Sequence, residues 1–288
     1  MGVFSGRLGI IDGQSTVRNW NVSEVGTLPK YVASNTRGGS SREKGTRDWT
    51  GGFGLYGAIP SILPGDQFAF KGMTSADDLT EGNAGEQLSG SARVLSLTVN
   101  WNWAGGELLS MEVSFGGHLV LTKANAVLTQ DLTVPASLPI AGTKIQHSAD
   151  GASWHDIPNL TTASLTIVSE VPTYVNSSTF DAATEALWTG RTKGPIDWTM
   201  SMNQEDNKPG GTNGYPAIDS KHQLRCYINS TEFWLLKWAQ FSDYSNLTVD
   251  RESGAIISRT LNCGMAGIKD GVDGSITLPG AGSAWWPF

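Results

Sequence analysis

Two stretches of the chain resemble each other, and this repeat limits the possible folds more than any other feature of the sequence. VSEVGTLPKYV at residues 22–32 resembles VSEVPTYVNSS at residues 168–178, and TRDWTGGF in the first stretch is matched by PIDWTMSM in the second. The spacing from Val22 to Trp49 is 27 residues, and the spacing from Val168 to Trp198 is 30. A third, looser match relates residues 97–117 to residues 236–264.

Chance similarity among strand-rich segments is the alternative to a duplication. Three matches in the same order with near-constant spacing favour a duplication, and neither the period nor the copy number suits a propeller or a solenoid. We therefore expect two modules of about 140 residues, at 1–140 and 141–288, joined near VPASLPIAGTK.

Apolar and polar residues alternate in SLTVNWNW and ELLSMEVSF, a pattern typical of half-buried antiparallel strands. The two stretches are predicted to form a hairpin across residues 104–106. The alternation and position of the tryptophans predict core roles for Trp49, Trp101, Trp103 and Trp198.

The composition predicts a mainly β fold. Only 16% of the residues are charged, and 35 glycines and 12 prolines suit many short strands joined by turns. Each module is interpreted as a β-sandwich or β-barrel with one long polar loop and at most a short helix, for which residues 179–190 are the candidate.

The stretch RDWTGGFGLYG contains G-x-G-x-x-G at Gly52, Gly54 and Gly57, which in other settings binds a pyrophosphate. A dinucleotide site requires a helix after the glycines, whereas AIPSILPGDQFAF follows, with two prolines and a Pro-Gly turn. The second stretch keeps Asp-Trp-Thr and replaces the glycines. We therefore interpret the stretch as a strand that contains a core tryptophan.

The sequence offers no positive indication of catalysis, and we predict no catalytic residue, metal ligand or cofactor. HSADGASWHD places two histidines near Asp150 and Ser153, but such a stretch is typical of a solvated loop. Cys226 and Cys263 lack metal-ligand spacing and are predicted to be buried small hydrophobic residues.

Charge and hydropathy exclude two further classes. A net charge of −7 does not suit tight nucleic-acid binding. We expect no membrane partner, because no run of 18 apolar residues and no signal-peptide pattern is present.

A basic loop, SNTRGGSSREKGTR, carries Arg37, Arg42, Lys44 and Arg47 against a single Glu43. One interpretation is a mobile surface loop. The other is an arm that becomes ordered against a neighbouring copy of the chain, where a basic loop would meet an acidic face.

The order of these features resembles the tail tube (major tail) proteins of long-tailed bacteriophages. The resemblance rests on STVRNWNVSEV, the polar loop, DWTGGFGLY, a PGD strand and GGELLSMEVSFGG, and it covers most of residues 6–123 and, more weakly, 161–267. It implies β-sandwich modules with a flanking helix whose sheets join between subunits around a channel for DNA. Two modules per chain differ from most members and resemble the minority in which three chains supply six modules.

The resemblance implies a structural virion protein, assembled in the host cytoplasm, whose trimeric rings stack into a tail tube. DNA would pass through the lumen without tight binding. The basic loop, and by position residues 177–193, would contact the adjacent ring. Partners would be copies of itself and other tail proteins such as the terminator, tape measure, hub or sheath.

Three other functions stay open at this point. A tail hub or baseplate protein also contains paired tube modules. A carbohydrate-binding or adhesive β-sandwich is suggested by 11 tryptophans, including Trp285 and Trp286. A hydrolase with a sandwich fold is the third and lacks a recognisable site.

Overall fold

A computed structural model describes most of both predicted modules. The described residues are 2–6, 9–11, 17–32, 40–56, 62–74, 84–127, 140, 142–206, 216, 218–248, 257–266 and 276–277. The predicted boundary at 140/141 adjoins residues 128–139, which lie outside this set.

The prediction of a mainly β fold is confirmed. The first part of the chain forms β1 (Gly2–Gly6), β2 (Gly9–Ile11), β3 (Val17–Gly26), β4 (Lys30–Tyr31), β5 (Ser41–Arg42), β6 (Thr46–Tyr56), β7 (Gln67–Met73), β8 (Ala84–Asn102) and β9 (Ser110–Val127). The second part forms β10 (Ile145–Ser148), β11 (His155–Asp156), β12 (Leu160–Ser169), β13 (Thr173–Tyr174), β14 (Phe180–Asp181), β15 (Ala186–Trp188), β16 (Gly190–Arg191), β17 (Ile196–Asp206), β18 (Lys221–Tyr227), β19 (Phe233–Thr248), β20 (Ile257–Met265) and β21 (Ile276–Thr277).

The helix proposed for residues 179–190 is wrong. A single 3-10 turn at Ser177–Thr179 leads into the β14–β15 hairpin, and the described residues contain no α-helix. The carboxylate of Asp181 accepts hydrogen bonds from the backbone N–H of Thr184 (2.8 Å) and from its hydroxyl (2.6 Å). Such bonds are also compatible with the first turn of a helix, but Glu185 has a φ of 50° and the following residues pair with β14 and β6, so the chain does not continue as a helix.

Most strands belong to one large mixed sheet, and its two parts have the same strand order. In the first part the antiparallel order is β3-β6-β9-β8-β7-β2. In the second part it is β12-β17-β20-β19-β18-β10. Strand β1 pairs with β3, so β1 and β2 together connect the two ends of the first order.

The two parts join along β8. One edge of β8 pairs with β9, while the other edge pairs with β7 along residues 87–93 and with β12 along residues 96–102. The sheet therefore continues from the first part into the second without a break in backbone hydrogen bonding.

The alternation seen in the sequence decides which side chains enter the core. The predicted hairpin is present, with Asn100 opposite Ser110. Leu97, Val99 and Trp101 are buried, and so are Leu109, Met111, Val113 and Phe115 on its second strand. Trp49 and Trp198 are also buried, whereas Trp103 is only partly buried at the margin of the core.

The two VSEV strings do not lie at matching positions of the two parts. Trp49 lies opposite Glu24 in the β3–β6 pair, and Trp198 lies opposite Ile167 in the β12–β17 pair. When the two tryptophans are superposed in this way, Val168 matches Val25 and not Val22. The match that the pairing favours is Arg-x-Lys-Gly-x-x-Asp-Trp-Thr, at residues 42–50 and 191–199.

Candidate functional site

The histidines come together in space without forming a recognisable catalytic arrangement. Nδ1 of His147 lies 3.2 Å from Nδ1 of His222, and the ring of His155 is 5.8 Å from that of His147. Burial, together with the charges of the two neighbouring histidines, lowers the pKa of His147 to about 4. Asp150 does not orient these rings, since its carboxylate accepts N–H bonds from Ala152 and Ser153, each 2.8 Å long, within its own turn.

Both cysteines are part of the hydrophobic core. Cys226 and Cys263 are free and buried, as predicted, and burial raises the pKa of both thiols. Within the described residues, no group of three or more His, Cys, Asp or Glu side chains could hold a metal ion.

The glycines of DWTGGFGLY lie inside strand β6, which pairs with β3 and β9 along both edges. A side chain at Gly51 would come within 2.3 Å of the carbonyl oxygen of Asn21 and 2.5 Å of the ring of Phe115. This glycine therefore permits close packing of a strand against its neighbours. Gly57 lies outside the described residues.

The largest functional candidate is one face of the sheet, which we call the polar face. It runs across eight strands in the order β3-β6-β9-β8-β12-β17-β20-β19, and it includes Asn19, Asn21, Ser23, Thr50, Ser114, Ser96, Thr98, Asn100, Thr162, Ser164, Thr166, Thr199, Ser201, Asn203, Thr260, Asn262 and Ser245. The opposite face of the same strands faces the core. Short uncharged side chains therefore dominate the polar face from one part of the chain to the other.

Side-chain hydrogen bonds run across the polar face from strand to strand. Five bonds continue through the β8–β12 junction, namely Ser96–Ser114 (2.6 Å), Thr98–Thr166 (3.3 Å), Ser164–Asn100 (2.9 Å), Asn203–Thr162 (2.8 Å) and Thr260–Asn203 (2.8 Å). Because these side chains bond mainly to one another, few of their polar groups project as free donors toward a ligand.

The charge on the polar face is predominantly negative. In the described ladders its carboxylates are Asp48, Glu112, Asp197, Glu205 and Asp243. Arg18 binds Glu112 at 2.9 Å, with both side chains partly exposed. Arg93 and Arg191 also lie on this face near Gly116, where Arg191 binds Asp48 and Arg93 donates to the carbonyl oxygen of Arg191. The charged groups of this face are therefore largely paired with one another, and a surface of this composition attracts a phosphate backbone weakly.

The junction between the two parts also joins their interiors. The indole N–H of Trp101 on β8 donates to the carbonyl oxygen of Tyr227 on β18 at 2.9 Å. The indole N–H of Trp103 donates to the hydroxyl of Thr143 at 2.8 Å. Both bonds link the β8–β9 hairpin of the first part to residues of the second part, so the tryptophans here have a structural role.

Of the four basic residues predicted for the inter-ring loop, the three that the structure describes have different surroundings. Arg37 lies outside the described residues, and Arg42 is an exposed residue of β5. Lys44 binds Glu185 at 3.0 Å, with both side chains more than half exposed. Arg47 belongs to β6, where it binds Glu24 at 3.2 Å and lies over the ring of Trp188.

The loop predicted to match it, residues 177–193, folds back onto the first part of the chain. β15 pairs with β6 in parallel, and Arg191 forms two bonds of 2.7 Å to the carboxylate of Asp48. Arg191 is 4% exposed and also donates to the carbonyl oxygen of Gly117. Its backbone N–H donates to Nδ1 of His118 at 2.9 Å.

Our sequence reasoning missed the contact between Arg191 and Asp48. The sequence does contain an indication of this contact, because an arginine lies six positions before Asp-Trp-Thr in both stretches, as Arg42 and Arg191. A repeated arginine and a repeated aspartate do not by themselves indicate that the arginine of one copy binds the aspartate of the other.

No protein-family model and no curated protein sequence matches the chain. Within the part that the structure describes, no helix has the length and hydropathy to cross a membrane. Trp285 and Trp286, which suggested a carbohydrate-binding surface, lie outside the described residues. Of the other tryptophans, Trp20, Trp49, Trp101, Trp188, Trp198 and Trp234 are each at most 2% exposed, a distribution that suits packing and not a sugar-binding platform.

Proposed function

We propose that the chain is a tail tube protein of a long-tailed bacteriophage, which assembles into rings that stack around a DNA channel. The observation that carries the proposal is the polar face, because its side chains and the backbone pairing continue through the β8–β12 junction between two similarly ordered sets of strands. The proposal requires no catalytic residue, cofactor or metal.

Two tandem modules account for the shared strand order. Thr50 lies opposite Gly116 in β6–β9, and Thr199 lies opposite Gly264 in β17–β20. In β8 the register shifts just after Val94, which lies opposite Phe115, the residue before Gly116. In β19 the register shifts just after Phe241, which lies opposite Cys263, the residue before Gly264. A bulge is a local irregularity, so its recurrence at the same place in the same strand order supports duplication.

The polar face is suited to line a lumen. DNA passing through a tube must not be held, and the surface combines short neutral side chains with scattered carboxylates. The arginines on this face of the described strands already have partners, since Arg18 binds Glu112, Arg191 binds Asp48, and Arg93 donates to the carbonyl oxygens of Arg191 and Gly65. They are therefore less available to displace counterions from a phosphate backbone.

The pairing of β8 with β12 within one chain suggests how one chain could pair with the next to close a ring. In the strand order of the second part, residues 243–248 of β19 correspond to residues 96–102 of β8 in the first part, which are the residues that pair with β12. Their edge away from β20 has no partner strand within the described ranges. An unpaired edge favours addition of a further strand, and β3 of a second copy corresponds to β12.

Repetition of this junction by three chains would give a ring of six modules with a continuous inner sheet. Stacked rings would form the tube in the virion, after assembly in the host cytoplasm. The segment of the basic loop that contains Arg37 is our candidate for contact with the next ring, and the other tail proteins would bind the ends of the tube.

Electron microscopy of the purified protein over a range of concentrations tests this function. We expect rings with pseudo-sixfold symmetry that stack into tubes as the concentration rises. Rings that never stack would favour a hub or baseplate protein. A chain that stays monomeric at every concentration and salt condition would contradict the proposal.

A further inference from the structure

Each part of the chain carries an arm between its first and second long strands. We define the first arm as residues 27–46 and the second arm as residues 170–195. The second arm leaves β12, crosses β8 and β9, and places Arg191 against Asp48 on β6. The second arm also reaches the first part through the ion pairs Lys193–Asp66 and Glu185–Lys44, but the Arg191 side chain is the most buried of these cations, at 5% exposed.

The two arms have the same backbone pairing. In the first arm Lys30 lies opposite Arg42 and Tyr31 opposite Ser41, and in the second Thr173 lies opposite Arg191 and Tyr174 opposite Gly190. The N–H of residue 43 bonds to the carbonyl of Pro29 at 3.1 Å, and the N–H of residue 192 bonds to that of Pro172 at 3.0 Å. Arg42 is therefore the counterpart of Arg191.

The first arm lacks the partner that the second arm has. Arg42 is exposed and forms no ion pair with any described residue, whereas Arg191 is buried. Leu28 and Val32 on the same arm are 64% and 66% exposed, and Tyr31 is 39% exposed. Tyr174, the counterpart of Tyr31, lies with its ring centroid 6.5 Å from that of His118 in the first part.

The second part of the chain carries a vacant counterpart of the Arg191 site. Asp197 matches Asp48, and in both the carboxylate accepts the N–H of the following tryptophan, at 2.7 Å and 2.8 Å. Asp197 is exposed and has no cation paired with it in the described part of the chain.

The two matched glycines differ in what covers them. A Cβ atom added at Gly116 would lie 2.3 Å from Nε of Arg191, whereas one added at Gly264 would meet nothing nearer than 3.6 Å. Gly264 lines an open cleft of about 440 Å³ together with Thr199 and Asn262. There is thus room at Gly264 for a guanidinium like the one that covers Gly116.

We propose that Arg42 of one copy binds Asp197 of a second copy, repeating between chains the contact that Arg191 makes with Asp48 within a chain. One chain is not expected to make this contact internally, because the first arm connects β3 to β6, and β9, β8 and β12 separate β6 from β17 in the strand order. With β3 of one copy paired to β19 of another, the first arm crosses β19 and β20 to reach β17, as the second arm crosses β8 and β9 to reach β6.

The inference rests on the proposed ring and assigns Arg42 to a contact within the ring, not between rings. A bidentate arginine–carboxylate pair fixes both distance and orientation, so it would set the register of closure. The exposed apolar residues of the first arm would be covered in the same step.

Charge reversal on each side, and then on both, tests the contact. The variants are Arg42→Glu, Asp197→Arg and the double variant, compared by sedimentation and electron microscopy. We expect each single variant to raise the concentration at which rings form by at least about tenfold, because it places like charges together. The double variant should recover most of the wild-type assembly.

Lys30→Ala provides the control, since it removes a positive charge from the same arm at a residue that lies opposite Arg42 but corresponds to Thr173, which makes no such ion pair. It should assemble as the wild type does. If Arg42→Glu assembles at the wild-type concentration, or if the double variant does not recover, the contact is wrong while the ring stands. A wild-type chain that never assembles overturns the contact and the proposed function together.

Discussion

Arginines at matched positions of this chain are in opposite environments. Arg191 is buried against Asp48 with two bonds of 2.7 Å, and Arg42 is exposed. A buried, bidentate pair contributes more to stability than an exposed one, because its loss leaves the remaining charge partly desolvated. The difference is therefore one of environment and not of residue type.

Replacing Arg191 with alanine is expected to destabilise the unassembled chain by about 2 kcal/mol, a value below that of a fully buried pair because the Asp48 side chain is 38% exposed. Urea unfolding measures the loss. Lys44→Ala is the control, and removing its exposed ion pair with Glu185 should cost less than about 0.5 kcal/mol. Equal losses for the two variants would contradict this assignment.

The histidine cluster predicts a dependence of stability on pH. The pKa of His147 is lowered to about 4 in the folded chain by burial and by His222 and His155, and the pKa in the unfolded chain lies near 6.5. The unfolded state therefore binds the proton first as pH falls. The stability that neutral His147 contributes above pH 6.5 is lost between pH 6.5 and about 4.

Thermal unfolding across that range measures this effect on the unassembled chain. We expect the Tm of the wild type to fall as the pH drops from 6.5 to 4, and the fall to be smaller in His147→Gln, which has no charge to gain. The same fall in both proteins would show that other groups control the acid transition.

At the scale of strands, β1 pairs with β3 at the positions that correspond to those where β8 pairs with β12. Residues 2–6 lie opposite residues 24–20, and residues 97–101 lie opposite residues 167–163, which are the matching positions. Both pairings are antiparallel, so β1 covers the edge of β3 that ring closure would use. Covering an edge in this way is a common defence against premature strand addition.

A disulfide between Val3→Cys and Ser23→Cys, which lie opposite each other, should hold β1 on β3. We expect the oxidised protein to remain monomeric and the reduced protein to form rings, as followed by sedimentation. The Ser23→Cys single variant controls for the substitution itself. Rings of the oxidised protein would mean that closure does not require β1 to leave.

At the scale of the whole molecule, the strand order of the first part repeats in the second, and the polar face extends over both. The second part adds to the first through β12, and its own β19 presents the next unpaired edge. An assembly that repeats one junction closes when its rotation adds up to a full turn. Whether the number of chains in that turn is odd or even can be tested with a mixture of two variants.

An equimolar mixture of Arg42→Glu chains and Asp197→Arg chains forms compatible contacts only where the two kinds alternate. A ring of three chains cannot alternate, so we expect open dimers and few closed rings in the mixture, as measured by native mass spectrometry. The double variant alone should close normally. Efficient closure in the mixture would indicate an even number of chains.

The sequence alone determined which side chains face the core. The alternation at residues 97–103 and 109–115 fixed the two faces of the β8–β9 hairpin, because successive side chains of a strand point to opposite sides. It also indicated a repeat through Asp48-Trp49-Thr50 and Asp197-Trp198-Thr199. It failed at residues 179–190, where Glu185 has a positive φ and the chain pairs as β14 and β15 instead of forming the helix we expected.

Only the tertiary structure decided which strand edges pair with each other. Backbone hydrogen bonds between strands are nearly independent of side-chain identity, so nothing in the sequence showed that residues 96–102 would pair with β12. The pairing also placed Val168 opposite Asp197, which set aside the apparent VSEV match. It brought Arg191 to Asp48 across 143 positions of the chain, a contact that depends on the path of the arm over two intervening strands.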